Sequence, residues 1–119
     1  MLGIRKTLAY NGESQSDREV VVERELGDVG TDFVFENDHV KVWQLVLEPG
    51  QASSWHHHKM HYLFVINKPG TLRVEYDDGT SAEHTYKLGQ VVMGDKDSIH
   101  RVINLGSDPF SNSIIELKQ

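Results

Sequence analysis

The chain has 119 residues, 38% hydrophobic and 25% charged: enough for one globular domain, and a composition that excludes collagen-like, coiled-coil and disordered classes. With no Cys, a disulfide framework, a Cys-zinc knuckle and a thiol nucleophile are all excluded. Twelve basic residues against 18 acidic ones leave a net charge of −6, a surface that repels phosphate backbones and makes nucleic acid a poor partner.

Met1 to Tyr10 lacks the apolar run of a signal peptide, and no stretch reaches the roughly 18 apolar residues of a membrane span. A soluble, cytoplasmic protein with no membrane partner is the expectation. Asn11 to Arg18 is polar and turn-rich, so residues 1–18 read as an N-terminal arm and residues 19–119 as the domain. From Glu19 the pattern becomes short β-type runs punctuated by Gly, Pro, Asn and Asp. Val20-Val21-Val22 opens the series, followed by Phe33-Val34-Phe35 and by His39 to Leu47, which Glu48-Pro49-Gly50 ends. A long run from Ser54 to Ile66 stops at Asn67-Lys68-Pro69-Gly70, where Pro before Gly predicts a type II turn. Thr71 to Tyr76 and Ser81 to Leu88 flank Asp77-Asp78-Gly79-Thr80, and Asp-Gly is the strongest short-range hairpin signal in the sequence. Gln90 to Met93, Ile99 to Asn104 and Ser111 to Leu117 complete the set. All three Pro fall in connections, as expected if the runs are ladder-forming strands. The prediction is a single all-β domain, a sandwich or jelly-roll barrel.

Chemistry enters with the histidines, of which there are seven. In Gly50-Gln-Ala-Ser-Ser-Trp-His56-His57-His58, strand alternation points His56 and His58 to one side, about 7 Å apart at Cα, so both imidazoles can reach one metal ion. His57 faces away. A third ligand must come from another strand, and His100 is the candidate. Several imidazoles on an inward face without a partner would lose hydration for nothing, which a metal relieves. His39, His57 and His84 are read as solvated side chains.

These residues resemble the cupins. The cupin first motif, G-x5-H-x-H-x4-E-x6-G, falls on Gly50, His56, His58, Leu63 and Gly70; the second, G-x5-P-x-G-x2-H-x3-N, falls on Gly89, Asp95, Asp97, His100 and Asn104. Phe35 to Gly50 is also similar to a branch of small bacterial cupins that includes proteins linked to β-alanine degradation. The resemblance implies a cupin-type jelly-roll β-barrel with a metal site. Leu63 stands where most cupins carry a carboxylate ligand, so the implied site is of histidines alone. His61 enters as a fourth ligand if the chain bends after His58; if alternation continues, Tyr62 takes that face and His61 points out. We take His61 inward, which makes the expected metal ligands His56, His58, His61 and His100. Asp95 and Asp97 replace the Pro and Gly of the family's turn, a change of loop geometry that Asp tolerates. Asn104 is assigned a supporting role.

Neutral ligands leave the charge of a divalent ion unbalanced, so an anionic small molecule is the expected partner. Imidazoles suit Fe, Zn, Ni or Cu. Two functions follow: a metal-dependent enzyme on a small anionic metabolite, as a dioxygenase, or a non-enzymatic cupin that binds a ligand or holds its metal structurally. A homodimer is also expected, with the arm and Val20-Val21-Val22 covering a sheet edge.

Overall fold

A computed structural model describes residues 3–10 and 19–119, with side chains from Arg24 onward. The chain is all β among these residues, in eleven strands: β1 (Gly3–Tyr10), β2 (Glu19–Leu26), β3 (Asp32–Glu36), β4 (Val40–Leu47), β5 (His56–His57), β6 (Tyr62–Lys68), β7 (Gly70–Tyr76), β8 (Ser81–Tyr86), β9 (Val91–Gly94), β10 (Ile99–Asn104) and β11 (Phe110–Leu117). Among the described residues, no helix is long and apolar enough to cross a membrane.

Two antiparallel sheets form the barrel, in strand orders β3-β4-β11-β6-β9 and β5-β10-β7-β8. Period-2 alternation turns Trp43, Leu45 and Leu47 of β4, Ile66 of β6 and Phe110 and Ile114 of β11 inward. They meet Leu72, Val74 and Val102 from the facing sheet in one buried cluster. Asn104 fastens a corner of it: its Nδ2 donates to the carbonyls of Leu47 at 3.0 Å and Asp108 at 2.9 Å, and its Oδ1 accepts from Gly106 N.

Among the described residues, β1 and β2 pair only with each other, Gly3 opposite Leu26 through Tyr10 opposite Glu19. Part of the expected arm is thus a strand, while the turn-rich segment 11–18 lies outside the described residues. Where the hairpin meets the barrel, Gly27 N donates to the Trp55 carbonyl, and the Arg24 guanidinium lies 3.6 Å from the Trp55 ring centroid.

Three local expectations meet different outcomes. The Asp78-Gly79 hairpin joins β7 to β8 with Gly79 at φ 89°, the left-handed conformation that Gly adopts without steric cost. Pro69-Gly70 is not a type II turn, because Gly70 lacks the positive φ that its second central position demands. The chain does not reverse there: β6 and β7 belong to different sheets, and the pair carries it round the corner between them. The long run from Ser54 is not one strand either, since it is interrupted between His57 and Tyr62. That interruption decides how the site is built.

Candidate functional site

β5 pairs with β10 so that His56 lies directly opposite His100. Beyond β5 the backbone stays tied to the lead-in of β10: His58 N donates to the Ser98 carbonyl at 2.9 Å, and Asp97 N to the His58 carbonyl at 2.6 Å. His56, His58 and His100 are thereby brought together, their ligating nitrogens within 4.8 Å of one another and all three rings buried.

The hydrogen bonds orient the rings. The Ser54 carbonyl can only accept, so His56 Nδ1 carries the proton and donates to it at 2.8 Å, leaving an Nε2 lone pair. His100 Nδ1 lies 2.8 Å from Ser98 Oγ, a hydroxyl able to accept its proton and so to leave the Nε2 lone pair for a metal in the cluster. His58 Nε2 and His100 Nε2 are 3.1 Å apart, while His58 Nδ1 is buried without a partner. Burial lowers all three from the usual 6.5, His56 to about 4, His100 to about 3 and His58 to about 2, with repulsion between the rings adding to the last two. They are neutral at pH 7. Converging lone pairs on neutral imidazoles, two with their outer nitrogens held, form a donor set that fits a divalent transition ion.

His61 is not with them. Lys96 N donates to its Nδ1 at 3.2 Å, Asp95 lies 3.6 Å away, and its side chain is half exposed. Tyr62 reaches the cluster instead, the outcome expected of continued alternation, and stacks on His58 with ring centroids 3.8 Å apart. Leu63 lies out of that face, paired on β6 with Met93 and Ile115. Among the described residues no carboxylate joins the three histidines. His57 faces away, 3.6 Å from Asp97.

Beside the histidines lies a cavity of about 690 Å³, in the range of small-molecule sites. Its exposed lining includes His84 on β8 and Met93 on β9, the edge strands of the two sheets, which share no ladder. His84 is therefore a rim residue, not merely a solvated one. Tyr62, Phe64, Tyr76 and Tyr86 give the cavity an aromatic wall, and Leu45, Leu72, Val74 and Ile114 an apolar interior. Sequence reasoning did not single out Tyr76 and Tyr86, nor Asn112, which also lines it. Asn112 had a signal in the strand pattern, being in phase with inward Phe110 and Ile114.

Gly94 lies flat against Tyr62, where a Cβ would come within 2.1 Å of the ring. His58, stacked on the same ring, restricts its movement. Gly94→Ala should therefore cost at least the usual 1–3 kcal/mol or so of overpacking and displace Tyr62. Chemical denaturation would give the first, and the near-ultraviolet dichroism of the tyrosines the second; wild-type values for both would contradict the packing described.

A family model, the cupin domain, matches residues 43–112, more than half of the chain. A cupin domain from Bordetella pertussis Tohama I is 28% identical at TM-score 0.67, over 78% of this chain and all of that one. An RmlC-like cupin family protein with a double-stranded β-helix fold from Methanocaldococcus jannaschii is 21% identical at TM-score 0.61, over 72% of this chain and 76% of that one. A conserved Klebsiella pneumoniae protein with a double-stranded β-helix domain is 18% identical at TM-score 0.57, over 76% and 82%. No curated protein matches the sequence. Because the family model covers residues 43–112, and with them His56, His58 and His100, the chain belongs to the cupin family.

Proposed function

We propose that His56, His58 and His100 hold a divalent transition metal, Fe, Zn, Ni or Cu, and that the cavity beside them receives a small anionic metabolite on which the protein acts as an oxygenase. The observation that carries the reading is the convergence of three buried, neutral imidazoles at one end of an open cavity. A divalent ion held by them would supply Lewis acidity and, if iron, a centre for O2 chemistry. The chain's own contributions are to keep the imidazoles neutral by burial, to fix two rings through Ser54 and Ser98, and to exclude water from the inner cavity with apolar side chains. With no carboxylate in the group, the site's charge favours an anion.

Elemental analysis of the purified protein, followed by oxygen uptake by the Fe(II)-loaded form with a panel of small organic acids, tests this. One metal per chain and substrate-dependent uptake are expected. Failure to retain any metal in supplemented medium sinks the reading. Metal and acid binding with no acid consumed would favour the non-enzymatic alternative.

A homodimer belongs to the same proposal. β3 is an edge strand whose Phe33, Val34 and Phe35 are all exposed, an apolar surface that association would cover. Sedimentation at micromolar concentration should give the mass of a dimer, and a monomer would refute it.

A further inference from the structure

Two asparagines buried in this barrel are in opposite states. Asn104, 1% exposed, has all its amide groups engaged. Asn112, 4% exposed, lines the cavity, and its Oδ1 is buried with no hydrogen-bond partner. An orphaned buried oxygen costs about 1–3 kcal/mol, a cost that Leu of similar size would avoid.

The position is otherwise apolar. Phe110 and Ile114 precede and follow Asn112 on the inward face of β11, and its cross-strand partners are Leu45 and Ile66. Opposite it the ladder slips: Ser111 pairs with Lys68 and Asn112 with Ile66, which leaves Asn67 as a bulge on β6. Bulges of this kind occur where a strand is re-aimed around a site. The charged residues that line the cavity, Asp95, Lys96 and Asp97, are all on the loop after β9, at the histidine end. Tyr62, stacked on His58, pairs with Glu116, four residues from Asn112 and so about 13 Å away along the strand.

We infer that Asn112 recognises the far end of the ligand. The cavity takes an elongated, mainly apolar acid whose end remote from the acidic group carries a neutral hydrogen-bonding group, such as a hydroxyl, that pairs with the Asn112 side-chain amide. The placing of the acidic group rests on the cation site proposed above. That group is neutral because a buried ammonium at that end would meet apolar side chains and no carboxylate.

Hydrocinnamate and its para-hydroxy analogue are a matched probe pair, differing only in a hydroxyl at the end remote from the acid. Calorimetric titration of the metal-loaded protein should show the hydroxylated probe binding more than about tenfold tighter. In Asn112→Leu that preference should vanish while hydrocinnamate binds as before, and the variant should melt no lower than wild type. Asn112→Ala, which leaves space, should lose the preference too. Equal binding of the two probes by wild type, no binding of either at millimolar concentration, or survival of the preference in both variants overturns the assignment. The same titrations on chelator-treated protein separate the two proposals: loss of affinity for both probes alike reports on the cation site, and the hydroxyl preference reports on Asn112 whether or not a metal is taken up.

Discussion

His100→Ala should bind divalent metal more than about a hundredfold more weakly than wild type, above the 10–100-fold lost when only an outer partner of a ligand is removed. His100 supplies one of three nitrogens, and its Nε2 is 3.1 Å from that of His58, so its loss opens the group at its centre. His56→Ala and His58→Ala should behave alike. His61→Ala should keep wild-type affinity, because that ring is held by Lys96 N outside the cluster. Competition against a chromogenic chelator measures all four. Equal weakening in His61→Ala would place the ion elsewhere.

Acid should destabilise the metal-free protein over a defined window. Each of the three rings has a folded pKa below 6.5, so as pH falls the unfolded chain takes up protons that the folded chain refuses, and stability drops. Above about pH 6.5 both states are neutral and the contribution is fully present. It is lost progressively below that, toward about 4 for His56, 3 for His100 and 2 for His58. A ring protonated in the unfolded chain but not in the folded one lowers stability by up to about 1.4 kcal/mol for each pH unit inside the window. Urea unfolding at pH 7.0, 6.0 and 5.0 with chelator present measures the slope, and His100→Ala should lose its share of it. A midpoint that does not move between pH 7 and 5 would show that the rings are not held neutral by burial.

Much of the barrel was readable because its rules are local and repetitive. Short β-branched runs, prolines in the connections and the Asp78-Gly79 hairpin all act within a few residues, and strand phase was enough to put His56 and His58 together. Errors came where phase is reset. Between His57 and Tyr62 the chain leaves the ladder, and the expectation that this break turns His61 inward is not met: Tyr62, which plain alternation from His56 and His58 puts on their face, arrives there instead. Pro69-Gly70 misled for a related reason: the turn rule presumes a reversal within one sheet, whereas this segment passes between two. Asn112 could be placed on the inner face by its phase, but an unanswered oxygen is a property of all its neighbours together, and no stretch of β11 records it.

The division of the site between the sheets has a mechanical consequence. His56 and His100 stand on β5 and β10, with His58 tethered to the approach to β10, whereas Tyr62 and Asn112 stand on β6 and β11 of the other sheet. At the open side, β8 and β9 are not laced to each other by a ladder. A molecule gripped at both ends would therefore act as a tie rod across the gap, resisting the spreading of the sheets where the backbone itself does not.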